Sequence, residues 1–149
     1  MGRKLVTKLS NRQCFTLTEK DNLKTASAKL QKYNVGVMPV LNEKDKSVIG
    51  IISERDLARH IYKDEFKSDL PVSKIMTKNI ISCNLNTSVT ELMEIISSYK
   101  VRHIPIIEKK NLLGIVSIGD VVNHIIEQYK DENNVLELIC TKENVFGCF

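Results

Sequence analysis

A chain of 149 residues with 42% hydrophobic content can bury one ordinary core, or two small units packed together. The net charge of +4 is mild, acids are interspersed with bases, and aromatics make up 5% with no Trp, which argues against a nucleic-acid surface. The four cysteines, Cys14, Cys83, Cys140 and Cys148, show no C-x-x-C spacing and do not cluster with His60, His103 or His124, so no metal site is expected and the thiols should be reduced. No apolar run approaches the ~20 residues that cross a bilayer, and Met1–Lys8 lacks the apolar segment of a signal peptide. A cytoplasmic protein without a membrane association is the expectation.

Met1–Gln13 reads as a basic, weakly patterned lead-in. Cys14–Leu17 is a short strand candidate. Asp21 stands where it could cap a helix with the stripe Leu23, Ala26, Ala28, Leu30 and Tyr33. Val35–Leu41 is a β-rich run containing Pro39. Proline has no N–H, so this strand should be an edge, or Pro39 should sit where no ladder bond is needed. After the charged turn Asn42–Ser47, Val48–Ile52 suits a buried strand and Glu54–Tyr62 a helix.

Lys63–Pro71 is a charged linker. Val72–Met76 could make one helical turn, and Ile80–Cys83 another short strand. Val89, Leu92, Met93 and Ile96 stand at i, i+3, i+4 and i+7 of an amphipathic helix. Val101–Ile107, with Pro105, is a strand; Glu108–Asn111 is a turn. Leu112–Val116 is a strand, and Ile118 to about Tyr129 a helix with Val121, Val122, Ile125 and Ile126 on its apolar face. Lys130–Asn134 is charged. Val135, Leu136, Leu138 and Ile139 could continue the last helix, for packing or a dimer contact.

The phrase Val48-Ile49-Gly50-Ile51-Ile52-Ser53-Glu54-Arg55-Asp56-Leu57 returns as Leu112-Leu113-Gly114-Ile115-Val116-Ser117-Ile118-Gly119-Asp120-Val121, 64 positions on. Upstream, Thr16 and Ser82, Leu30 and Ile96, Val35 and Val101, and Pro39 and Pro105 are each 66 apart, so the first unit's turn is two residues longer. Each unit reads strand, helix, strand, strand, helix. The fold class is α/β (α+β), two β-α-β-β-α repeats about a pseudo-twofold axis. The expected boundaries are 1–62 for the lead-in and first repeat, 63–71 for the linker, 72–129 for the second repeat and 130–149 for an extension.

These residues resemble a tandem pair of CBS domains (a Bateman module) over about Arg12 to Gln128, closest to the stand-alone bacterial type. The features that carry the resemblance are the Pro-containing second strand and the Gly-apolar-apolar-Ser-x-x-Asp phrase, each present twice, and Met76-Thr77 opening the second unit. The pair inserted in IMP dehydrogenase is similar, but nothing here supplies that enzyme's barrel. The resemblance implies adenine nucleotides in a cleft between the units, AMP first, with ADP, ATP or NAD as alternatives. It also implies a homodimer formed through helices, and a regulated partner protein.

By the same resemblance, Asp56 and Asp120 accept hydrogen bonds from ribose diols, and Ser53 and Ser117 lie near ribose or phosphate. Val35 and Val37 wall one base site, beside Gly36 and Pro39; Val101 and Ile104 wall the other, beside Pro105. Thr77 and Ser82 join the Asp56 site and Thr16 the Asp120 site. Arg102 and His103 would neutralise phosphate at the Asp120 site, making it the tighter one for phosphorylated ligands, and Arg55 would do so at the Asp56 site. A carboxylate suits two adjacent hydroxyl donors, and helix N-termini favour phosphate.

The plainer reading makes each Ser-x-x-Asp only a helix cap. His60 and His124 then complement helix C-termini. No nucleophile–base pair or phosphate-cradling glycine loop points to an enzyme, so no catalytic residue and no catalytic cofactor are expected. The rival to nucleotide sensing is a ligand-independent dimerisation or scaffold module.

Overall fold

A computed structural model describes residues 3–63 and 67–145, with side chains described for 5–63 and 67–133. The expected apolar continuation at Val135–Ile139 has its side chains outside that range, as do Cys140 and Cys148.

The first unit follows the expected order: β1 (Leu17–Thr18), α2 (Leu23–Tyr33), β2 (Val37–Leu41), β3 (Val48–Ser53) and α3 (Glu54–Tyr62), preceded by an additional helix, α1 (Arg3–Leu9). The second has α4 (Val89–Tyr99), β4 (His103–Glu108), β5 (Asn111–Ser117) and α5 (Ile118–Val145). The extension therefore continues α5 without a break. His60 sits in the last turn of α3, whereas His124 lies well inside α5.

In the first sheet β2 lies between parallel β1 and antiparallel β3. The Pro39 strand is thus central, not an edge. It escapes a lost ladder bond because β1 pairs only with Val40 and Leu41, one residue past the proline. In the second unit Ile80–Cys83 does not form a strand. Cys83 alone bridges Ile106, donating its N–H to the Pro105 carbonyl at 2.9 Å and accepting from the Ile107 N–H at 2.9 Å. The Asn84 side chain then takes the Asn86 N–H and turns the chain away.

The repeat persists in the backbone. Val37 faces Ser53 and His103 faces Ser117; the register shifts between Val40 and Leu41 and again between Ile106 and Ile107. The two-residue difference in turn length is closed in the second unit by Lys109 and Lys110, both left-handed at φ 48° and 71°, the conformation of a tight hairpin turn.

Two local expectations change. Asn22, not Asp21, caps α2, accepting the Thr25 N–H at 2.8 Å, while Asp21 accepts the Thr18 N–H at 2.8 Å. The N-terminal lead-in is in fact core. Leu5, Val6 and Leu9 of α1 are buried among Leu92, Ile104, Ile106, Val116 and Val121 of the second unit. In return Val72, in a single 3₁₀ turn at Val72–Lys74, is buried in the first unit's cluster with Leu17, Leu23, Leu30, Met38 and Ile52. Each core is thus closed by the segment that precedes the other repeat. Among the described residues no helix is long and apolar enough to cross a membrane.

Candidate functional site: two clefts between the repeats

β3 and β5 each end in a serine that caps the helix behind it. Ser53 donates its N–H (2.8 Å) and Oγ–H (2.7 Å) to Asp56 Oδ2, and accepts the Asp56 N–H at 3.3 Å. Ser117 and Asp120 repeat this at 2.8, 2.7 and 3.1 Å. The capping reading of both motifs is therefore correct as far as it goes. It consumes one carboxylate oxygen of each aspartate and leaves Oδ1.

A cleft of about 400 Å³ opens beside Asp56. Its walls are Gly36, Val37, Ile51, Ser53, Glu54, Arg55, Asp56 and Arg59 from the first unit, and Thr77, Asn79, Ile81 and Lys100–His103 from the second. Thr77 is held there by two backbone bonds to Ile51, of 3.0 and 2.9 Å. A second cleft, of about 320 Å³, is lined by Arg12–Phe15, Asn34–Val37, His103, Ile115, Ser117 and Asp120. Gly36, Val37 and His103 line both and separate them; a Cβ on Gly36 would lie 3.7 Å from the His103 ring.

The expected site residues are thus largely gathered, but several change partners. Gly36, Val37, Ser53, Arg55, Asp56 and Thr77 share the first cleft. Val101 and Arg102 join them there and do not line the Asp120 cleft. Val35 lines the Asp120 cleft. Pro39, Ile104 and Pro105 are buried and line neither cleft. Ser82 is exposed outside both, its place taken by Asn79 and Ile81. Thr16 lies in a separate shallow groove with Leu41 and Leu113. Sequence reasoning missed Arg59, one helical turn beyond Asp56, and Lys100, the left-handed C-cap of α4. Asn34, at the equivalent C-cap of α2, lines the other cleft.

The electrostatics distinguish the clefts. Asp120 Oδ1 accepts from the Arg12 guanidinium at 2.9 Å. Burial pushes the Asp120 carboxyl up, but the Ser117 hydroxyl and N–H and the Arg12 guanidinium outweigh it and hold it below its usual value. Asp56 Oδ1 has no such partner among the described residues. Burial lowers His103 from its usual value, against the opposing pull of Asp120.

The helix starts offer little to an anion. Glu54 N–H goes to the Gly36 carbonyl at 3.0 Å and Ile118 N–H to the Arg102 carbonyl at 2.8 Å, while Asp56 and Asp120 N–H go to the capping serines. Recognition of phosphate falls to side chains instead.

Two repeats sharing an α-β-β-α unit, crossed at their ends and enclosing paired clefts, define the class. A family model described as the CBS domain matches residues 6–63 and 72–127, and the chain belongs to that family as a tandem pair. YlbB of Bacillus subtilis is 32% identical over 101 residues, covering 68% of each chain. The CBS domain-containing protein YhcV of the same organism is 28% identical over 110 residues, covering 73% of this chain and 76% of its own. The crystal structure of the CBS-domain containing protein ATU1752 from Agrobacterium tumefaciens matches at 33% identity and TM-score 0.74, over 82% of this chain and 96% of that one. The CBS domain pair of MJ0100, solved in complex with 5'-methylthioadenosine and S-adenosyl-L-methionine, shares the fold at 21% identity and TM-score 0.73, over 83% and 96% of the two chains.

Proposed function

We propose that this CBS pair is a regulatory module that binds an adenine nucleotide between its repeats and transmits occupancy to a partner protein. The observation that carries the reading is Asp56. It is fixed by its cap, retains an acceptor oxygen, and lines a cleft with apolar Val37, Ile51, Ile81 and Val101 and the cations Arg55, Arg59, Lys100 and Arg102. That is an acceptor for a ribose diol, surfaces for a base and counter-charges for phosphate in one cavity. A protein of the same fold holds adenosine-bearing ligands, which makes the chemistry compatible with the architecture.

Signalling requires that the ligand favour one placement of the repeats over another. The clefts are built from both repeats, so a bound nucleotide touches both. We place a homodimer contact on the exposed apolar residues Ile118, Val122, Ile126 and Tyr129, which recur along α5, and on Ile61 and Tyr62 of α3.

Calorimetric titration of the full chain with AMP, ADP, ATP and NAD tests the binding claim. Saturable binding of at least one of them, abolished both by Asp56→Ala and by the cap-preserving Asp56→Asn, is the expected result. A folded protein that binds none of the four, with a melting temperature unmoved by any, would favour the ligand-independent scaffold.

A further inference from the structure

The two clefts are related by the repeat but not by charge. Arg55, Arg59, Lys100 and Arg102 line the Asp56 cleft, against the carboxylates of Glu54 and Asp56. None of the four cations is in an ion pair among the described residues. Each stands where the other half of the repeat has a neutral residue: Gly119 for Arg55, Asn123 for Arg59, Asn34 for Lys100 and Gly36 for Arg102. The Asp120 cleft holds one arginine, Arg12, and that arginine is already bonded to Asp120. His103 borders both clefts and so does not discriminate between them.

We infer that the two clefts divide ligands by charge: the Asp56 cleft is a polyphosphate subsite that selects nucleosides carrying two or three phosphates, and the Asp120 cleft excludes them. This reverses the sequence expectation that Asp120 marks the tighter site for phosphorylated ligands, and it rests on the nucleotide reading above. Because the backbone donors at the start of α3 are mostly spent, selectivity follows the number of guanidinium and ammonium groups reached by the phosphate chain. Arg59 and Lys100 come from opposite repeats, so a longer phosphate chain also ties the two repeats together more firmly than a monophosphate does.

The test is a calorimetric series on the full chain with adenosine, AMP, ADP, ATP, GTP and inorganic tripolyphosphate, at low and high salt. Affinity should rise by about tenfold per phosphate from AMP to ATP and fall steeply with salt. Tripolyphosphate should compete with ATP. Arg59→Gln combined with Arg102→Gln should bring ATP down to the affinity of AMP; neither position is buried, so the variant's fold can be checked by its unchanged melting. Equal affinities for adenosine, AMP and ATP without tripolyphosphate competition would overturn the charge division and leave the adenine reading standing. Competition by tripolyphosphate with no preference for ATP over GTP would keep the polyphosphate subsite and overturn the adenine reading. A phosphate preference that survives the double substitution and disappears in Asp120→Asn would place it in the other cleft and overturn the division.

Discussion

The Asp56 and Asp120 clefts begin from the same local chemistry and end as different sites. Serine and aspartate make the same cap in both, with two bonds of 2.8 and 2.7 Å each. The remaining oxygen of Asp120 is held by Arg12, whereas Lys78, which occupies the equivalent place before Cys83, forms no ion pair with Asp56. The motif therefore fixes the backbone and one carboxylate oxygen. What the other oxygen does is decided by residues outside the motif, arriving from the crossed segments.

Gly114 and Gly50 break the equivalence most sharply. A Cβ on Gly114 would lie 2.5 Å from the Leu9 backbone carbonyl, which α1 holds in place; a Cβ on Gly50 would instead meet the flexible Met76 side chain. Gly114→Ala should cost about 3 kcal/mol and Gly50→Ala about 1 kcal/mol in urea unfolding. Similar losses at both would mean that α1 is not seated as a rigid part of the second core.

Acidification sharpens the contrast at the caps. The folded pKa of Asp120 is depressed, so its contribution to stability is present above the unfolded value and disappears as pH falls through the folded one. Asp120→Asn should cost about 1 kcal/mol at neutral pH, and the gap to the parent chain should begin to close only as pH falls below about 3.8 and vanish below the depressed folded value. A constant gap down to low pH would contradict the assignment.

The turns give a smaller effect. Lys110 adopts φ 71°, where glycine carries no Cβ penalty, so Lys110→Gly should raise stability by about 0.5–1 kcal/mol; no gain would show that the turn is not left-handed. Arg12→Ala should cost only about 0.5 kcal/mol, because its side chain is 56% exposed. Its larger consequence is to free Asp120 Oδ1, which should let adenosine occupy the second cleft.

The strands and helices that carry a strong pattern were legible in the sequence. The 64- and 66-residue offsets gave the repeat, and the register shifts at Val40 and Ile106 show that it extends to hydrogen-bond detail. α1 was not legible, because seven residues hold too little periodicity to announce that Leu5, Val6 and Leu9 are core. Ile80–Cys83 has the apolar character of a strand but only one residue within reach of β4. At the site, the capping pairs were readable, the resemblance carried Thr77 across to Asp56, and the crossing of Val101-Arg102 was not readable. Nothing local in Val101-Arg102 shows that it faces Asp56 across the pseudo-twofold axis, since that depends on how the two finished units pack.

Native mass spectrometry of the full chain under saturating ATP tests the central claim most directly. The account predicts one nucleotide per chain, lost in Asp56→Asn and retained in Asp120→Asn. A chain that keeps its nucleotide in Asp56→Asn and loses it in Asp120→Asn, or that carries none at all, would contradict it.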